Sequence, residues 1–324
     1  MEVFWGDGFG EETQGLDILG VRGLDQSLET ALANGITTIS PRGRYFTILP
    51  WLIGEFFHTE EKAEATVFEA NRLRTFVGRV EYLTLACTIL DNSGGDLGGA
   101  LGSVTFRDTM DRLRAGATIP FPKDRRGSIL GTYFGPCRAI GLVKSAEGGG
   151  PQPFSLTPRG KELWAVRNAA LGEGPLRTFL WEADALSPDH VRDLLPHFSL
   201  MGLRRASAEA ACLRDALQTA WVPSGGGASV AEAYEKFAGT LAWLRAEAKS
   251  GPLQADVLLA ANYRHTVNPG GAKKEITLAW AEFEWRRRLH FALELIFSGL
   301  CATLRARGHR ALSPKKKRPS VIAI

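Results

Sequence analysis

Apolar residues along this chain recur mostly at intervals of three and four, which is the period of helices packed on one face. Tyr45, Leu49, Leu52, Ile53 and Phe56 keep that spacing. They predict a helix with Ser40 as N-cap and Pro41 at its first position, where the missing N–H costs nothing. Pro50 falls inside and removes one bond to the Phe46 carbonyl, so a kink is expected. From Glu60 to Asp91 a second, long helix is expected, with Leu73, Phe76, Val77, Val80, Leu83, Cys87 and Leu90 on one face. Upstream, Asp25 is placed to cap a short helix carrying Leu28 and Leu32.

The pattern changes between Ser128 and Trp164, SILGTYFGPCRAIGLVKSAEGGGPQPFSLTPRGKELW. A short helix is followed by an apolar pair, Leu142 and Val143, and then by a glycine-rich polar stretch. A second apolar run, Phe154–Leu156, precedes Thr157-Pro158, which reads as the N-cap and first position of another helix. Helix, strand, projecting turn, strand and capped helix is the order of the second half of a winged helix. In that module one helix enters the major groove of DNA.

Beyond Trp164 the helical period returns. Ser187-Pro188 starts a helix that Pro196 is expected to stop. Ser207 is expected to cap the helix bearing Leu213, Leu217 and Trp221. Ser229 with Glu232 forms a capping box before Val230, Tyr234, Phe237, Leu241 and Leu244. A last helix, about Leu278 to Arg305, carries a stripe of Trp285, Leu289, Ala292, Ile296, Leu300 and Leu304. DNSGGDLGG, PSGGGA and VNPGGAKK read as connectors, and SPKKKRPSVIAI as a disordered tail.

Composition narrows the class only slightly. The 324 residues carry a net charge of +4, which permits nucleic-acid contact without demanding it. The four cysteines, Cys87, Cys137, Cys212 and Cys301, form no CxxC pair, so buried free thiols in a reducing compartment are expected. The acidic start, MEVFWGDGFGEE, lacks the pattern of a signal peptide. No run approaches the ~20 apolar residues needed to cross a bilayer. A cytoplasmic protein with no membrane partner is the expectation.

The candidate DNA-contacting residues are the cations in and before the central stretch and at the tail. Arg138 lies on the short helix, Lys144, Arg159 and Lys161 flank the wing, and Arg125 and Arg126 precede it. Lys315, Lys316, Lys317 and Arg318 would add salt-sensitive phosphate contacts. One feature weighs against a base reader: the short helix holds Gly131 and Gly135-Pro136, with Arg138 as its sole cation. Docking of another protein is therefore the rival use of the same module.

Other clusters leave a structural reading open beside a functional one. Arg286, Arg287 and Arg288, near Glu282, Glu284 and Glu294, are either an ion-paired face or a phosphate clamp. His265 and His290 are lone histidines. No phosphate loop, nucleophile elbow or His-Glu-x-x-His motif occurs, and Lys274-Glu275 falls short of a nuclease core. No cofactor, metal site or catalytic residue is expected.

Three segments carry a resemblance. GLDILGVRGLDQSLETALANGITTISPRGRYFTILPWLIGEF resembles the opening of uncharacterised bacterial proteins from antiphage defence and mobile-element neighbourhoods. GTYFGPCRAIGLV with LTPRGKEL is similar to their winged-helix-like centre, and AEFEWRRRLHFALELIF to a late helix. The resemblance implies an accessory subunit of a multi-protein defence or DNA-processing system, and transfers no activity. Its matching residues, Arg42, Arg44, Tyr45 and Trp51, look like buried organisers; Arg44 would pair with a core acid as readily as touch a ligand.

The expected fold is thus mainly α, with helical lobes flanking a central winged helix-turn-helix domain with a small β-wing. Its expected divisions are an N-terminal lobe (1–100), the winged-helix domain (101–170), a C-terminal lobe (171–312) and a basic tail (313–324). The expected role is a DNA-binding or DNA-sensing accessory subunit on double-stranded DNA, working with other subunits. The alternative is a non-catalytic scaffold that docks a partner ATPase or nuclease.

Overall fold

A computed structural model describes residues 23–33, 36, 42–62, 70–92, 99–122, 128–145, 153–172, 175–219, 221, 228–258, 260, 262 and 275–306. The protein is mainly α. In chain order the helices are α1 (Gly23–Ala33), α2 (Tyr45–Lys62), α3 (Ala70–Asp91), α4 (Arg107–Arg114), α5 (Ile129–Ala139) and α6 (Pro158–Leu171). They continue with α7 (Pro175–Glu182), α8 (Pro188–Phe198), α9 (Ser207–Gln218), α10 (Ala228–Ala248) and α11 (Glu275–Ala306). Two short antiparallel pairs complete it: β1 (Ile119–Pro120) with β4 (Ala185–Leu186), and β2 (Val143–Ser145) with β3 (Phe154–Leu156).

Packing divides the chain into two units, Thr30–Pro252 and Met1–Glu29 with Leu253–Ile324. In the larger unit one core runs from Tyr45 to Ala216, across the positions near 100 and 170 where lobe boundaries were expected. At its centre is α2, whose Tyr45, Ile48, Leu49, Trp51, Leu52, Ile53 and Phe56 are fully buried. Helices α5 and α6 pack on α2, and α8 packs on α3. Gly54 lets α6 close in: a Cβ there would strike Trp164 and the Leu156 side chain. Pro50 sits inside α2 as expected. The Phe46 carbonyl it leaves without a helical N–H is met by Cys137 Sγ at 3.8 Å, a weak donor from α5.

The core also holds charge. Arg44, in the turn entering α2, directs Nε and Nη2 at Glu209 of α9, at 3.2 and 3.0 Å. Arg167 of α6 pairs with the same carboxylate through Nη1, and Thr47 reaches it through its hydroxyl. Two guanidiniums against one carboxylate leave an excess positive charge, and the end of α8 absorbs it. Arg44 donates to the Ser199 carbonyl at 2.5 Å and the Pro196 carbonyl at 2.7 Å. Arg167 donates to the His197 carbonyl at 2.8 Å. These are carbonyls of the last turn of α8 and of the residue after it, the negative end of its dipole. Gly202 leaves room for the guanidinium, since a Cβ there would collide with Arg44 Nη1.

Several local expectations shift. Of the helix expected from Glu60 to Asp91, α2 runs on through Glu60 to Lys62 and α3 is described from Ala70 to Asp91, while residues 63–69 lie outside the described residues. Helix α2 begins at Tyr45, while Ser40 and Pro41 lie outside the described residues. Pro196 does not stop α8, which continues to Phe198. The proline frees the Arg192 carbonyl, and both residues lie on an exposed face. Ala206, not Ser207, is the N-cap of α9, and Trp221 lies past the helix end. Helix α10 buries Phe237, Thr240 and Trp243, a face shifted from the expected Phe237–Leu241–Leu244 stripe. Helix α11 is present, but its stripe is exposed: Trp285, Leu289, Ile296, Leu300 and Leu304 all face outward.

Burial pushes the Glu209 carboxyl up, but Arg167, Arg44 and the Thr47 hydroxyl outweigh it and hold it below the ordinary 4.5. A carboxyl depressed on folding contributes stability that is complete above its unfolded value and lost as pH falls through the folded one. Glu209→Gln is expected to cost about 3–5 kcal/mol in urea unfolding at neutral pH, because two buried guanidiniums lose their counter-charge. The variant should also lose part of the wild-type fall in stability below pH 4.5; an unchanged pH slope would remove Glu209 from that role.

Candidate nucleic-acid interface

Helix α5, the β2–β3 hairpin and the start of α6 form one locally determined unit. The start of α5 is held from α3, by the fully buried Glu81. Its carboxylate accepts from the Ser128 N–H at 2.6 Å, the Ile129 N–H at 3.0 Å and the Ser128 hydroxyl at 2.9 Å. Ser128 makes no side-chain cap of its own. A charge on another helix thus satisfies the N–H groups that a helix start leaves open, and its sign suits the dipole.

The end of α5 is a Schellman turn. The Leu142 N–H bonds the Cys137 carbonyl at 2.9 Å, and the Gly141 N–H bonds the Arg138 carbonyl at 3.0 Å. Gly141 has φ +72°, a conformation that favours glycine, and a Cβ there would also meet the Trp221 ring. The turn sends the chain into β2, which pairs Val143 with Leu156, Lys144 with Ser155 and Ser145 with Phe154. Phe154 packs against Phe134 of α5, ring centroids 5.0 Å apart, so the hairpin is anchored to the helix. Thr157 then closes the unit: its hydroxyl donates to the Gly141 carbonyl at 2.6 Å and accepts from the Gly160 N–H at 3.1 Å. Pro158 occupies the first position of α6, as expected.

The surface this unit presents is cationic but sparse. The outward stripe of α5 is Gly131, Gly135 and Arg138. Lys144 on β2 and Lys161 on α6 are exposed with it. Arg159 is placed differently: its Nη1 donates to the carbonyls of Ile140 and Ala216 at 3.1 Å and of Thr219 at 3.2 Å. Its guanidinium also lies 5.5 Å from the Trp221 ring centre. A cation thus stands at the C-terminal ends of α5 and α9 together, where both dipoles are negative. Arg125, Arg126, Lys315, Lys316, Lys317 and Arg318 lie outside the described residues, as does the polar stretch between the hairpin strands.

Sequence reasoning missed Glu81, which reads as one more polar residue on a long helix. The signal was its place among Val80, Tyr82 and Leu83, since a buried carboxylate needs donors from elsewhere. It also passed over Arg167, although an arginine one turn beyond Leu163 on an apolar face calls for a partner.

Elsewhere, Arg286 pairs with Glu282, and Arg288 reaches Glu284 at 3.9 Å, the ion-paired alternative for that cluster. His290 lies 3.7 Å from Asp25 and 3.3 Å from Glu294; His265 lies outside the described residues. Cys87 and Cys137 are buried, and burial lifts both thiols well above their ordinary 9.0, so they are inert as nucleophiles. Among the described residues no group of three or more His, Cys, Asp or Glu is arranged to hold a metal ion. The cleft beside Arg167, lined by Trp51, His197, Phe198 and Glu209, has a volume of about 10 Å³, room for roughly one water.

No protein-family model, no curated protein and no solved structure matches the chain.

Glu81→Ala is expected to destabilise the protein by about 1–3 kcal/mol, the cost of leaving the buried N–H groups of α5 unsatisfied. Amide exchange at Ser128 and Ile129 should rise with it; if exchange stayed at wild-type rates, the cap would be dispensable. Arg159→Ala should likewise lower stability by about 1.5–3 kcal/mol, through removal of its charge-assisted bonds.

Proposed function

We propose that the protein is a non-catalytic DNA-binding subunit that contacts duplex backbone through the α5–hairpin–α6 unit, used as a winged helix. The reading rests on one observation: a capped helix, a Schellman turn, an antiparallel hairpin and a Thr-Pro-capped helix follow one another, with Arg138, Lys144 and Lys161 exposed on them. In a winged helix the strand-borne cations meet phosphates while the preceding helix approaches the major groove. The outer stripe of α5 offers two glycines and one arginine, so base reading would be weak and backbone contact would dominate affinity. Arg159 enters this reading as the residue that positions the turn between α5 and β2. The setting that fits is the one the sequence resemblance implies, an accessory subunit of a bacterial antiphage or mobile-element system.

A second reading has its own support. The glycine-rich outer stripe of α5 permits close approach of another backbone, which suits a scaffold that docks a partner protein through the same unit.

The readings separate in a salt series of binding to short duplex DNA. The DNA reading expects steep weakening with salt. The double variant Lys144→Glu with Lys161→Glu should bind at least about tenfold more weakly. Its log–log salt slope should be shallower by about 0.9 for each phosphate that is no longer neutralised. If wild type does not bind at low salt, or if the variant keeps both affinity and slope, the DNA reading fails and the docking reading takes its place.

A further inference from the structure

The last helix poses a problem that the winged-helix reading leaves untouched. In α11 every described residue from Glu284 onward is at least partly exposed, and most of its large apolar side chains are among the exposed ones. Trp285 is 65% exposed, Phe291 61%, Leu295 57%, Ile296 61% and Leu300 58%. Among the described residues it is the one helix long and apolar enough to cross a membrane by length and composition, with mean hydropathy 1.3 over eighteen residues.

The arrangement of side chains around the helix decides what would cover it. At about 100° per residue, Trp285, Leu289, Leu293, Ile296, Leu300, Leu304 and Phe297 occupy one broad side. Phe291 and Leu295 lie on the far side of that stripe, with Ala292 and Ala302 between. Arg287, His290, Glu294, Ser298, Cys301 and Arg305 collect on a narrow polar seam in steps of three and four, while Arg286, Arg288 and Thr303 fall within the apolar side. The apolar arc covers roughly 240° and the polar seam roughly 80°. One partner helix covers a stripe of about 100° and would leave Phe291 and Leu295 bare. A lipid surface covers every apolar direction at once.

Charge and length specify the mode. Arg286, Arg287 and Arg288 stand at one end of the apolar run, Arg286 and Arg288 beside Glu282 and Glu284, and Arg305 stands at the other, against Glu294 within it. Cations at both ends suit anionic headgroups. From Leu289 to Leu304 the helix rises about 24 Å, short of the ~30 Å hydrocarbon layer, whereas a helix lying in the plane has no length to satisfy. Glu294, on the seam, would then face headgroups and water.

We propose that the C-terminal two thirds of α11, Trp285–Ala306, is a lipid-docking helix. It lies in the interface of an anionic membrane, with the Arg287–Glu294–Arg305 seam toward the headgroups. This departs from the expectation of no membrane partner, which counted uninterrupted apolar residues and so passed over a run broken by one glutamate on a polar seam. The proposal is independent of DNA binding.

The test is flotation of the full-length protein, free of nucleic acid, with vesicles of equimolar phosphatidylcholine and phosphatidylglycerol, and with vesicles of phosphatidylcholine alone. The expected result is flotation with the anionic vesicles, reduced roughly tenfold or more without anionic lipid. The triple variant Phe291→Glu, Leu295→Glu, Ile296→Glu changes side chains that are exposed already, so its circular dichroism and unfolding midpoint should match wild type while flotation is abolished. Wild-type protein that stays unbound to anionic vesicles overturns the proposal, as does a folded variant that still floats. A lipid-free oligomer that falls apart in the variant, with no flotation of wild type, assigns the face to a second copy instead.

Discussion

The larger unit is built around one buried carboxylate shared by two arginines. Glu209 comes from α9, Arg44 from the entry to α2, Arg167 from α6, and the carbonyls that take the remaining donors belong to the end of α8. Each group alone would be expensive to bury, and together they are tolerable only in one mutual placement. Apolar packing accepts small slides between helices, but a bidentate arginine between a carboxylate and a helix end does not. The cluster therefore sets the relative position of four helices whose apolar faces would otherwise fit in more than one register.

That arrangement extends outward to the proposed interface. Helix α2, buried on nearly every side, presents Gly54 to α6 and Phe46 to α5, so the two helices bracketing the hairpin rest on the same rod. Glu81 holds the start of α5 and Arg159 its end, one anion and one cation matched to the two poles of a short helix. Neither charge belongs to α5. A helix with two glycines and an internal proline has little intrinsic stability, and charges supplied by α3 and α6 offset that weakness. In the functional reading, the same rigidity would present Arg138, Lys144 and Lys161 as a fixed set.

The core of the larger unit and α11 use charge in opposite ways. In the core, the buried guanidiniums of Arg44 and Arg167 are held by the Glu209 carboxylate and by carbonyls, with Arg167 Nε left without a partner. On α11 the ion pairs Arg286–Glu282 and Arg288–Glu284 are local, and the apolar residues beyond them are left outside. A packed core and an exposed apolar helix are thus told apart by where the apolar surface goes, and not by how much of it there is.

Sequence alone determined what depends on neighbours within a few residues. The mainly helical class follows from the three–four spacing, the cap of α6 from Thr157-Pro158, and the hairpin from apolar pairs around a polar stretch. These are fixed by backbone donors, acceptors and φ, which act over one turn. For Arg44 the sequence left two readings open, a core acid or a ligand, and the pairing with Glu209 matches the first. Only tertiary structure decided that the acid was Glu209, 165 residues away, that Glu81 caps α5, and that Arg159 turns inward to two helix ends. It also decided that the stripe of α11 faces out, since the same periodicity serves a buried face and an exposed one. The physical reason is common to all four. A helix period states which residues share a side, while the partner of that side is set by packing and by charge brought from distant parts of the chain.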